Sequence, residues 1–164
     1  MQHYPKYTDP ICRAQNDTRF CDLDNLLNVI EVLLVMERMH KFWVENSVHS
    51  CPLPGTTRSE TYPFNLGVAL LRGFPSMKLD DESFDHFGTD VLNYWNMLDD
   101  RSCPNGALLI FIKDYNRAFL SKISCEFICK QRLGGQNVTS AMQAPMDDGD
   151  LLSAVLDGVA NFGG

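Results

Sequence analysis

The chain has 164 residues, 45% of them hydrophobic and 21% charged, with a formal net charge of −7. This composition excludes a disordered chain, and the lack of a basic stripe argues against binding DNA or RNA phosphates. The length suits one domain with its own core, and no stretch approaches the roughly 18–20 apolar residues that span a bilayer.

Residues 1–21, rich in Pro, Asp, Asn, Thr and Tyr, read as an extended lead-in. Asp22 or Asp24 can cap a first helix reaching about Glu45. Leu26, Leu27, Ile30, Leu33, Leu34 and Phe42 give it helical spacing. Val29, Val32, Val35 and Met36 widen the stripe beyond one face, so this helix is expected to be well buried. Residues 46–63, with Cys51-Pro52-Leu53-Pro54-Gly55, form a loop. Phe64 to Leu71 has the length and apolar density of a buried strand, and a turn follows at Gly73-Phe74-Pro75.

Asp80 caps a second helix from Asp81 to about Met97, with Phe84, Phe87, Val91, Leu92, Trp95 and Leu98 in one stripe. Trp43, Tyr94 and Trp95 are read as core packing. After a loop at 99–106, Ala107 to Ile112 is apolar on both faces and so a central strand. Lys113-Asp114-Tyr115-Asn116 is a turn, and Arg117 to Ile123 a hairpin return strand. Arg132 to Gln136 is a loop, and Asp147-Asp148-Gly149-Asp150 leads a last helix carrying Leu151, Leu152, Val155, Leu156, Val159 and Phe162 on one face. The order helix, strand, helix, strand, strand, helix predicts an α/β fold: an αβα sandwich, a small mixed sheet with helices on both faces.

Six cysteines, Cys12, Cys21, Cys51, Cys103, Cys125 and Cys129, stand beside glycosylation sequons at Asn16 and Asn137. An even number spread along the chain points to an oxidising compartment and at least two disulfides. Spacing leaves the pairing open: Cys12 and Cys21 bracket the lead-in, and either could tie it to Cys103 or to the other. Buried reduced thiols are the alternative; zinc is disfavoured because no Cys-x-x-Cys occurs. Met1-Gln2-His3-Tyr4-Pro5 lacks a signal-peptide layout. A cell-surface protein would carry its leader and membrane anchor outside this segment.

The order of motifs resembles the TPM domain family. Its pieces are Phe20-Cys21-Asp22-Leu23-Asp24-Asn25-Leu26-Leu27, then Leu66 to Leu71, Tyr94-Trp95, and Asn105-Gly106-Ala107-Leu108-Leu109-Ile110. Lys113-Asp114-Tyr115-Asn116-Arg117 and the closing Asp148-Gly149-Asp150-Leu151-Leu152 complete them. Tyr4-Pro5, Cys12, Cys21-Asp22-Leu23-Asp24 and Cys103 resemble the animal branch, the modulators of levamisole-sensitive acetylcholine receptors. The resemblance runs over nearly the whole chain, 1–164. It implies a single extracellular domain, with its lead-in tied by disulfides, that binds pentameric ligand-gated channel subunits and tunes them.

The alternative implied by the same resemblance is a low-activity, divalent-metal-dependent acid phosphatase. It would gather Asp22, Asp24 and Asp114 around a cation, calcium foremost, at the carboxyl ends of the strands. Two departures bear on this. Tyr115 stands where the family usually has a second Asp, removing a charged oxygen, and Leu23 stands where the animal branch usually has Pro. The residue-level alternatives are a helix cap for Asp22 or Asp24 and a turn former for Asp114. Asp80-Asp81-Glu82 and Asp147-Asp148-Gly149-Asp150 lack the full EF-hand spacing and read as helix-start acids. No Gly-x-Ser-x-Gly or phosphate loop occurs.

Overall fold

The computed structural model describes residues 4–15, 18–46, 49–52, 59–62, 65–73, 80–95, 97, 106–121 and 135–163. Its strands are β1 (Phe20–Asp22), β2 (His49–Pro52), β3 (Ser59–Tyr62), β4 (Asn65–Leu71), β5 (Gly106–Ile112) and β6 (Arg117–Leu120). Its helices are α1 (Val29–Asn46), α2 (Asp81–Tyr94), α3 (Gly135–Asp147) and α4 (Leu151–Gly163). The main sheet runs β1-β4-β5-β6, with β1, β4 and β5 parallel and β6 antiparallel. β2 and β3 pair separately as an antiparallel hairpin.

Alternation along the strands splits the core into two layers. Phe20, Val68, Leu70, Leu109, Phe111 and Leu120 meet Val35, Met39, Met142 and Val155 from α1, α3 and α4. Cys21, Ala69, Leu71, Ile110, Ile112 and Phe119 point the other way, toward Phe84, Leu92 and Trp95. Both faces of the parallel strands are thereby covered, as such strands require. The predicted αβα sandwich with a small mixed sheet is the observed fold.

Several elements depart from the sequence reading. The lead-in supplies an edge strand, Phe20–Asp22, and the expected loop at 46–63 contains the β2–β3 hairpin. α1 begins at Val29, because Asn28 rather than Asp22 or Asp24 caps it. The Glu31 amide donates to Asn28 Oδ1 at 2.8 Å, and the Asn28 amide donates to Glu31 Oε1 at 2.9 Å, a reciprocal capping box. Nor is α1 buried all round. Val32, Val35, Met36, Met39 and Phe42 face the core, whereas Val29, Ile30, Leu33, Leu34 and Val44 are exposed. The helix lies in an outer layer, so the core covers one side of it only.

Trp95 is fully buried as expected, but Trp43 and Tyr94 are exposed. α3 went unrecognised in the sequence. The Asp80 and Asp150 readings as helix starts hold. The Ser83 amide donates to Asp80 Oδ1 at 2.9 Å, and the Ser153 amide and hydroxyl donate to Asp150 at 3.1 and 2.7 Å. Those bonds hold the Asp150 carboxyl below its ordinary range. Gly149, at φ +75°, makes the left-handed turn between α3 and α4.

Candidate functional site at the carboxyl ends of the parallel strands

Because β1, β4 and β5 run parallel, their carboxyl ends share one edge. Asp22 pairs with Leu70 and Leu71 with Ile112, so Asp22, Arg72 and Asp114 emerge side by side. This is the edge at which open α/β sheets build their sites. The three sequence-predicted carboxylates do reach this edge, but in different states.

Asp22 is fully buried. Its Oδ2 accepts from Arg13 Nη1 at 2.8 Å and from the Leu27 amide at 3.0 Å, while Oδ1 accepts from the Leu26 amide at 2.8 Å. Arg13 Nη1 also donates to the Leu27 carbonyl at 2.6 Å. Asp22 therefore closes the turn between β1 and α1, and its charge is met by a guanidinium from the lead-in. Arg13 is the residue that sequence reasoning missed. Its partnership with Asp22 depends on the left-handed backbone at Arg13, φ 67°, which ends a short helical turn at Pro10–Cys12.

Asp24 and Asp114 are exposed and lie on either side of one backbone unit. Asp24 Oδ2 accepts from the Arg72 amide at 2.9 Å, and the Asp114 amide donates to the Arg72 carbonyl at 2.8 Å. Asp114 sits in the turn Lys113–Tyr115, closed by Asn116 in the left-handed region. Tyr115 follows with 46% of its surface exposed. Among the described residues, no group of three or more His, Cys, Asp or Glu is placed to hold a metal ion. Of the three carboxylates at this edge, those of Asp24 and Asp114 are exposed to solvent.

The lead-in is fastened behind this edge. Cys12 and Cys21 form a disulfide, both residues buried. The Tyr4 hydroxyl lies 3.0 Å from the Cys21 carbonyl and 2.8 Å from the Leu70 carbonyl, so its proton bridges β1 and β4. Burial, with the Asp22 charge nearby, pushes this phenol well above its ordinary pKa, so it stays a donor into the alkaline range. The disulfide fits an oxidising, extracellular setting, and no helix among the described residues is long and apolar enough to cross a membrane. Cys51 lies in β2 and Asn137 in the first turn of α3, their side chains outside the described set. Asn16, Cys103, Cys125 and Cys129 lie outside the described residues.

No protein-family model and no curated protein matches the chain. Solved structures share its fold. One is the BA42 protein from the psychrophilic bacterium Bizionia argentinensis, with TM-score 0.60 and 14% identity over 87% of this chain and 82% of that one. Another is the N-terminal domain of a protein from P. gingivalis, with TM-score 0.54 and 14% identity over 85% of this chain and 75% of that one. At such identities the likeness is one of architecture, a small α/β domain.

Proposed function

We propose that this domain is an extracellular accessory module of the TPM type that binds a pentameric ligand-gated channel of the acetylcholine-receptor kind and tunes its gating. The observation that carries a binding role over a catalytic one is the state of Asp22. Catalysis at the strand ends would need that carboxylate free, whereas it is fully buried and accepts from Arg13 and two backbone amides. At the same edge Tyr115 offers an exposed phenol, an amphipathic side chain of the kind that anchors protein contacts. The Cys12–Cys21 disulfide supports a cell-surface location.

The test is to co-express the membrane-anchored domain with an acetylcholine-gated channel and record agonist currents. Altered currents are expected with the wild-type domain, and Tyr115→Asp should leave the modulation unchanged or weaker. Unaffected currents, together with metal-dependent hydrolysis of a phosphate ester by the pure domain, would overturn the reading.

A second reading, a weak metal-dependent acid phosphatase, draws on the Asp24 and Asp114 pair flanking Arg72. A divalent cation, calcium by preference, would take carboxylate oxygen from these two residues and complete its shell with water. Titration calorimetry should then detect calcium binding to the wild type and its loss in Asp114→Asn. Equal binding by both proteins would remove this edge as the site.

A further inference from the structure

We infer that the outer face of α1 is a self-association surface whose occupant is the same face of a second copy, packed antiparallel. Ile30, Leu34, Glu37, Lys41 and Val44 follow one another at alternate spacings of four and three residues. That spacing keeps one seam on a helix facing a partner helix. All five are exposed, with Ile30 at 70%, Leu34 at 42% and Val44 at 64%. The core-facing stripe, Val32, Val35, Met36, Met39 and Phe42, is already spent on the sheet and its neighbouring helices. The outer seam is therefore a second stripe, apolar at three of its five positions, that stays exposed among the described residues.

Charge and symmetry identify the occupant. From Leu34 to Val44 the seam reads apolar, acidic, basic, apolar, at spacings of three, four and three. Reversed, as a two-fold axis would present it, the pattern of apolar and charged positions is unchanged and the two signs exchange places. Leu34 then faces Val44 of the second copy, and Glu37 faces Lys41 of the second copy, each contact made twice. Among the described residues neither Glu37 nor Lys41 makes an ion pair within its own chain. A centre one half-turn earlier would set Glu37 against Glu37 and is disfavoured.

The charge of this face is compatible with such a contact. α1 carries Glu31, Glu37 and Glu45 against Arg38 and Lys41, three acids against two bases, so it holds only −1 of the net −7. α3 and α4 are equally close to neutral, whereas α2 with Asp81, Glu82, Asp85 and Asp90 is not, so repulsion between copies meeting at α1 is small. An 18-residue helix spans about 27 Å, and one helix pair buries less than the roughly 1,200–2,000 Å² of a stable complex. The dimer is accordingly weak, with a roughly micromolar dissociation constant.

Sedimentation equilibrium of the disulfide-intact chain over a concentration series is expected to show a monomer–dimer equilibrium that salt weakens. Glu37→Lys and Lys41→Glu should each weaken it roughly tenfold or more, and the double variant should restore it to within roughly threefold. Leu34→Asp should abolish it. All three positions are exposed, so circular dichroism should be unchanged in each variant. A strictly monomeric wild type would overturn the proposal. So would a dimer insensitive to Leu34→Asp, which would put the interface elsewhere. Single-charge losses that the double variant does not rescue would overturn the antiparallel register.

Discussion

Replacing Asp22 by alanine is expected to lower the unfolding free energy by about 2–4 kcal/mol. The carboxylate is fully buried and accepts three hydrogen bonds, from Arg13 and from the Leu26 and Leu27 amides. Its removal leaves the guanidinium without its counter-charge, although still donating to the Leu27 carbonyl, and two turn amides without acceptors. Loss of one partner of a buried ion pair usually costs about 3–5 kcal/mol. Here the Arg13 side chain is 22% exposed and can recover some hydration, which places the expected loss slightly lower. Asp22→Asn keeps one acceptor oxygen and should lose less. Urea denaturation with an unchanged slope would measure both values. A loss below about 1 kcal/mol for the alanine variant would mean that the carboxylate is not structural, and would return it to the pool of candidate ligands.

Trp95→Ala should cost about 3–5 kcal/mol and free the lead-in at the same time. The indole is fully buried at the end of α2, and its Nε1–H donates to the Pro5 carbonyl at 2.9 Å. Its ring stacks on Tyr4 at 6.2 Å and meets Tyr7 edge-on at 5.6 Å. One side chain thus binds the end of α2 to a segment 90 residues away in sequence. Trp95→Phe retains much of the aromatic packing and should lose about 1–2 kcal/mol, from the missing donor and the smaller ring. Limited proteolysis separates the two effects. The alanine variant should be cut within residues 4–11 while still folded, and the phenylalanine variant should resist. Equal resistance in both would show that the disulfide and the Tyr4 bridge hold the lead-in without the indole.

The strong periodicities were readable from sequence. β5 is a fully buried strand because Ala107 to Ile112 is apolar throughout, and the stripe of Phe84, Val91, Leu92 and Trp95 defined α2. α3 was hidden by its composition: Gly134-Gly135 reads as a loop, and Pro145 stands inside the helix. The signal that could have found it is Val138, Met142 and Met146, spaced four apart and all buried. The start of α1 was misplaced because Asp22 and Asp24 are chemically adequate caps. Asn28 and Glu31, three apart, carry the capping-box signature and were the better pair. At the site, the positions of Asp24 and Asp114 were legible from strand order. The commitment of Asp22 was not, since Arg13 is brought to it by a left-handed turn that no periodicity encodes.

β1 contributes only three residues to the sheet, yet it occupies the one flank along which β4 would otherwise lie open. β4 reads Asn65-Leu66-Gly67-Val68-Ala69-Leu70-Leu71, with no charge and no proline. A bare edge of that composition is a template for pairing with other chains. The lead-in therefore works as a guard strand, held against β4 by the parallel ladder and the Tyr4 bridge, while the Cys12–Cys21 bond and the Trp95 clasp fix the segment ahead of it. Chains clipped ahead of Phe20 would lose the Tyr4 bridge and the Trp95 clasp together, and are expected to aggregate through this β4 flank.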